Sequence, residues 1–197
     1  MTYEIHTTAT FDKWAANLKD RKAALAIAMR LDRAANGNLG DVKSVSDNVS
    51  EMRIFVGQGY RVYFKIRHGK VIVLLCGGDK SPQQRDIEKA KELAKKLLGA
   101  AMKTETKPYN PFNHLLTDAD MGQYLTNAFM DDDPAVFVTA LGHVAKAKGL
   151  AKLSQDTGLN RESLYKALSG KSKPKWDTVQ RIIKALNIQI HLEPTPS

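Results

Sequence analysis

A break in the middle of the chain constrains its fold most. Two runs of apolar segments, each large enough for a core of its own, flank a polar stretch, residues 99–116, that carries Pro108, Asn110, Pro111 and Asn113. A methionine, Met102, stands near the start of that stretch, at the head of the second half. A chain of 197 residues accommodates two domains of ordinary size. The expected organisation is a first domain over 1–98, a linker and extended arm over 99–116, and a second domain over 117–197. The net charge of +9 is unevenly spread: residues 1–101 hold 18 Lys/Arg against 11 Asp/Glu, 102–140 hold 2 against 6, and 141–197 hold 10 against 4. Basic surfaces commonly meet nucleic acid through phosphate contacts and counterion release. An acidic segment between two basic regions predicts an internal cover, with residues 109–133 lying on the cationic face of the first half.

The single cysteine, Cys76, sits inside the apolar run Val71 to Cys76, so no intrachain disulfide is possible and a buried, inert thiol is expected. No apolar run approaches the roughly 20 residues that span a bilayer. The opening residues lack a signal-peptide pattern, and a cytoplasmic protein without membrane contact is expected.

In the first half, Tyr3 to His6 alternates like a strand, Thr10 and Asp12 open a helix carrying Phe11 and Trp14, and Asp20 to Ala35 predicts a second helix. From Val42 the period changes to two. Strand-like segments around Val45 and over Glu51–Val56, Tyr60–Ile66 and Val71–Cys76 are divided by turn residues, predicting an antiparallel meander. A last helix follows Pro82, with Ile87, Ala90, Leu93, Ala94, Leu97 and Leu98 as its apolar face. The sum is a small α+β domain. Alternation places Arg61, Tyr63 and Lys65 on one face of a strand and Val62, Phe64 and Ile66 on the other. A cationic, aromatic face suits RNA, where basic groups hold phosphates and an aromatic ring stacks on an unpaired base; an ordinary solvated sheet face is the alternative.

The second half predicts helices throughout: one from Thr117 to Phe129, one from Pro134 to Lys148 with proline in its first turn, a short helix ending at Gly158, one capped by Asn160, and one from Trp176 to Leu186. Ile188 to Leu192 alternates as a short terminal strand. Ala151 at a helix crossing, Gly158 in a turn, and Leu164 and Leu168 facing the core give the pattern of a helix-turn-helix. Asn160, Arg161, Ser163, Tyr165 and Lys166 would then be exposed toward a DNA major groove; a plain helical bundle is the alternative.

Three segments carry a resemblance: Glu51–Ile54, Gly59–Phe64, and Leu74–Ser81 followed by Gln84–Ile87. Together they resemble the phage-derived, HigB-like branch of the RelE/ParE toxin superfamily over nearly all of residues 1–98. The resemblance implies a RelE-like fold and a ribosome-dependent mRNA endonuclease that needs neither metal nor cofactor. It implies Arg61 and then Arg53 as transition-state stabilisers, Lys80 as phosphate holder or proton-transfer group, Tyr63 as stacking or hydrogen-bonding residue, and Arg85 as a further phosphate contact. Glu51 is either a base or an ion-pair partner of Arg53 or Arg61, and His6 and His68 are surface or packing residues rather than catalytic ones. Some relatives carry a C-terminal His or acidic residue, whereas Lys89 to Lys96 holds no His or Tyr, leaving the general acid unassigned.

Gly158 to Gly170 resembles HigA-like antidote proteins with a Cro/repressor-type DNA-binding domain, over about 117–192. That resemblance implies Lys171 and Lys173 at the DNA backbone, an operator as partner and a homodimer on a palindrome. Jointly the two implied halves make a toxin and its antidote in one chain, the antidote holding the enzyme latent and repressing its own operon. The alternative is a DNA-binding repressor whose first half is an inactive interaction module or a ParE-like gyrase poison.

Overall fold

The computed structural model describes residues 1–46, 48–80, 83–97 and 105–191. The period-two segments form β2 (Val42–Ser46), β3 (Val49–Ile54), β4 (Tyr60–Arg67) and β5 (Val71–Asp79), a four-strand antiparallel meander. Its β4–β5 turn holds His68 and Gly69 at φ 51° and 64°, the left-handed pair a two-residue hairpin turn requires. The opening strand β1 (Glu4–Thr8) runs parallel to β5. On the far side of β1, β6 (Thr106–Pro108) adds an antiparallel edge, giving the order β2-β3-β4-β5-β1-β6. The predicted arm is therefore partly an edge strand, the position at which a proline such as Pro108 is tolerated.

Helices cover both faces of this sheet. Thr8 caps α1 (Ala9–Ala16) by accepting from the Phe11 amide at 3.2 Å, and Asp20 caps α2 (Arg21–Ala35) by accepting from the Ala23 amide at 3.0 Å. Ile27, Ala28 and Leu31 of α2 are buried with Met52, Val62, Phe64 and Leu74 in one cluster. On the opposite face α3 (Gln83–Lys96) sets Ala90 and Ala94 against Val49, Tyr63, Val73, Leu75 and Cys76. This corrects the expectation of an open cationic face. Tyr63 is fully buried beneath α3, and Lys65 is only 5% exposed. Burial also pushes the Cys76 thiol up to about 12, as expected of an inert cysteine.

Gly77 of β5 lies directly beneath the Trp14 indole, where a Cβ would collide with the ring. Gly77→Ala is expected to destabilise by about 1–3 kcal/mol through overpacking. In a thermal melt this is a fall of roughly 2–12 °C.

The second half supplies α4 (Met121–Phe129), α5 (Pro134–Lys148), α6 (Leu150–Thr157), α7 (Arg161–Ala167) and α8 (Trp176–Ala185). Pro134 occupies the first turn of α5, and the Asn160 side chain accepts from the Ser163 amide at 2.7 Å to start α7. Two expectations need correction. Ala151 is exposed, and α6 instead buries Leu153 and Thr157. Residues 188–191 form no strand, because alternation alone supplies no neighbouring edge to pair with; Leu192 lies outside the described residues, as do Leu98 and the first part of the expected linker.

The two halves share one continuous core, in which Tyr109, Leu115, Tyr124, Val136 and Leu141 cluster with the residues of α2 and β1. At its centre lies Asp32, which is fully buried. Its carboxylate accepts from the Tyr124 hydroxyl and lies 3.1 Å from His143 Nε2. Around this centre, Asn36 Nδ2 donates to Thr139 Oγ1 at 3.0 Å, and the Tyr109 amide donates to the Ile5 carbonyl at 2.8 Å.

Candidate functional site

The strand register places Arg53, Arg61 and Gly78 in one cross-strand row. Beyond the row, the β3–β4 turn holds Gly57 and Gly59 at φ 57° and 82°. The two arginines, these two glycines and Lys80, just beyond the end of β5, border a cleft of about 280 Å³ that Phe55, Gln58 and Tyr60 also line. The structure thus brings together three of the five residues assigned to the first half: Arg53, Arg61 and Lys80.

Glu51 organises the two guanidiniums. Its carboxylate is almost wholly buried, 3.5 Å from Arg61 Nε and 3.8 Å from Arg53 Nε, and it accepts from Gln83 Nε2 at 3.2 Å. Asp41 holds the outer end of Arg53 at 3.3 Å. Of the two roles open to Glu51, the geometry gives the ion-pair partner, and to both arginines. These contacts fix the guanidiniums while leaving them bordering the cleft, and a guanidinium presents paired donors suited to a phosphate.

The remaining two assignments fall elsewhere. Tyr63 is sealed beneath α3 with its phenol pushed well up, first by burial and then by the Glu51 charge, so it neither stacks on a base nor donates to one. Arg85 lies exposed in the first turn of α3, outside the cleft lining. Lys80 is exposed too, but lies within the cleft lining. Of the two aromatic residues at the cleft, Tyr60 is buried and Phe55 is 77% exposed. Sequence reasoning placed Phe55 within a strand; its only signal was an apolar residue bordering the Gly57-Gln58-Gly59 turn.

Asp86 was also missed. Its carboxyl fills the space left by Gly78, beside the Arg61 row, and burial raises its pKa, against lowering by Lys89. One of its oxygens is buried without a hydrogen-bond partner among the described residues.

The acidic residues of the second half do reach arginines of the first, but different ones. Asp120 pairs with Arg21, and Asp131 with Arg33 at 2.6 Å, both on α2. The expected cover over the Arg61 cleft is therefore corrected: β6 takes the open edge of β1, and that attachment carries α4 onto α2 instead.

In the second half, α6 and α7 are joined by a turn in which Gly158 has φ 67°. Leu164 and Leu168 face inward, as expected. Arg161, Ser163, Tyr165 and Lys166 of α7, its cap Asn160, and Lys171 and Lys173 of the following loop are all exposed. The predicted seven residues therefore occupy one helix and its adjoining loop. Among the described residues, no group of three His, Cys, Asp or Glu is placed to hold a metal ion, and no helix is long and apolar enough to cross a membrane.

Residues 105–194 match the family model described as "Probable addiction module antidote protein". This segment, a little under half of the chain, is similar to the addiction module antidote family. The match begins at β6 and takes in all of α4 to α8, so the strand added to the edge of β1 lies within the antidote-like segment. Two uncharacterized proteins of Haemophilus influenzae are also similar. One is 53% identical over 97 residues, 49% of this chain and 98% of the relative; the other is 34% identical over 92 residues, 47% and 95%. Each relative is thus about half the length of this chain. No solved structure matches it significantly.

Proposed function

We propose that the chain is a toxin and its antidote in covalent union. The first half, residues 1–98, is an mRNA endonuclease acting on the ribosome. The second, residues 117–197, joined through the segment 99–116, is an antidote that binds operator DNA through a helix-turn-helix and represses its own operon as a homodimer. The observation that carries this reading is the convergence of Arg53, Arg61, Lys80 and Phe55 on one open cleft, in a chain whose other half is similar to an antidote family.

The reaction suits such a cleft. The 2′-oxygen of a nucleotide bonds to its own 3′-phosphorus as the phosphorus–O5′ bond breaks, giving a 2′,3′-cyclic phosphate and a 5′-hydroxyl. One proton leaves the 2′-hydroxyl and one arrives at O5′. Arg61, seconded by Arg53, stabilises the extra charge on the phosphorane, Lys80 holds the neighbouring phosphate, and Phe55 carries the base that Tyr63 cannot reach. In the second half, α7 presents Asn160, Arg161, Ser163, Tyr165 and Lys166 to base edges and phosphates, while Lys171 and Lys173 fix register on the backbone.

This reading changes the expected mode of restraint. With the cleft open, the antidote half acts from α2 and β1, by its bulk, against docking on the ribosome. Expression of residues 1–97 alone in an inducible host is expected to stop growth and introduce breaks into translated mRNA, and co-expression of residues 105–197 to relieve both. A second reading, a DNA-binding repressor with a silent or gyrase-directed first half, draws on the deep ion pairing of Arg61 with Glu51. Growth arrest with intact mRNA would select it.

A further inference from the structure

Breaking the phosphorus–O5′ bond requires a proton at O5′, and the Arg61 cleft offers few groups to give one. No histidine is among the described residues that line it. Tyr60 commits its hydroxyl proton to Asp20 at 3.1 Å and accepts from Gln58 at 3.3 Å. Glu51 is engaged by two guanidiniums.

Asp86 stands beside the cleft in a different condition. It lies in the first turn of α3, and its carboxyl occupies the space over Gly78, where a Cβ would collide with Oδ2. Gly78 faces Arg61 across the β4–β5 register and comes two residues before Lys80, and both cations line the cleft. Neighbouring strands lie about 4.8 Å apart, so the carboxyl is one strand away from Arg61. The residue is half-buried, and its Oδ2 has no hydrogen-bond partner among the described residues. Burial is the largest influence on it and raises its pKa. Lys89 of α3 opposes this, Asp79 of β5 adds to it, and Arg85 and Arg61 oppose it, with a rise as the balance. Tyr63 and Cys76, which feel the same charge, are themselves pushed up by burial and stay neutral. A protonated carboxyl is a hydrogen-bond donor, and here it is one without an acceptor.

Resting on the endonuclease reading, we infer that Asp86 is the general acid of the cleavage, the role that the sequence left unassigned. As O2′ bonds to phosphorus and the phosphorus–O5′ bond breaks, the carboxyl O–H of Asp86 passes its proton to O5′. The proton of the 2′-hydroxyl leaves to solvent water, and water returns one to the Asp86 carboxylate, so the acid is restored after each turnover. Arg61 stabilises the phosphorane from the neighbouring strand. Gly78 serves the arrangement by its lack of a side chain, since a Cβ there would take the place of the carboxyl.

The test uses the full chain, whose cleft is open, in excess over a short RNA and over the same RNA with sulfur in place of the bridging O5′. A thiolate departs without a proton, so only the ordinary RNA needs the acid. Asp86→Asn, nearly equal in size, is expected to slow cleavage of the ordinary RNA about 10²–10³-fold and of the sulfur RNA by less than about threefold. The preserved rate on sulfur RNA also shows that the variant folds. The parent's rate on ordinary RNA should fall as pH rises through the titration of Asp86, because the acid form is lost, and the sulfur RNA should show no such fall. Arg61→Ala is expected to slow both. Parent-like cleavage of ordinary RNA by Asp86→Asn, or equal slowing of the two RNAs, overturns the assignment and leaves the endonuclease reading standing. No cleavage of either RNA by the parent chain defeats the reading of the cleft as a nuclease, and the assignment with it.

Discussion

Asp32→Ala is expected to lower the stability of the whole chain by about 3–5 kcal/mol, since it strands two buried polar partners at once. The carboxylate is fully buried at the seam of the two halves, serving the Tyr124 hydroxyl on one oxygen and His143 on the other. Alanine leaves both partners buried without it, and one ring nitrogen of His143 already has no partner among the described residues. In a chain of this size the thermal midpoint should fall by roughly 6–20 °C. Tyr124→Phe removes one of these hydrogen bonds and should cost less, about 1–3 kcal/mol. Circular dichroism melts of the parent and the two variants check the order. An Asp32→Ala protein with an unchanged midpoint would show that the polar seam adds nothing to stability.

Arg61→Ala is expected to reduce RNA cleavage by the first half about 10²–10³-fold, the loss typical when one preorganised donor to a charged transition state is removed. Its guanidinium is 13% exposed and fixed by Glu51, so it meets the phosphate already oriented. Arg61→Lys keeps the charge but loses the paired donors and should recover little of the rate. Single-turnover cleavage of a programmed ribosomal substrate measures the rates, and growth of the induced host measures the consequence. Retained toxicity in the alanine variant would move the function of the first half away from phosphate chemistry.

Much of this architecture was legible from local signals. The change to a period of two gave the meander, and Asp20, Pro134 and Asn160 marked helix starts that the structure keeps. What escaped depends on contacts between distant segments. Alternation shows that Tyr63 and Val62 face opposite ways, but not that α3 covers Tyr63; the apolar stripe of α3 was visible and its destination was not. Conversely, Ile188 to His191 alternates without any strand to pair with. The three residues of β6 were too few to show a period, although they complete the sheet. Of the site, Arg53, Arg61 and Lys80 came from the family resemblance, and strand register accounts for the nearness of the first two, which stand opposite each other on neighbouring strands. Phe55 and Glu51 were undervalued because exposure and double ion pairing arise only in the folded chain.

The strand β6 has a consequence for dosage. A separately made antidote reaches its partner at a concentration set by synthesis and turnover, so the ratio of the two proteins carries the signal. Here only residues 97–105 stand between α3 and β6, and a short covalent connection holds two partners together at effective concentrations in the millimolar range. Dilution and cell division leave that occupancy unchanged, and each copy is born at a ratio of one to one. On the proposed reading, release calls for a covalent cut between the halves followed by withdrawal of β6 from the sheet, so that proteolysis, and not a change in expression, is the event such a chain registers.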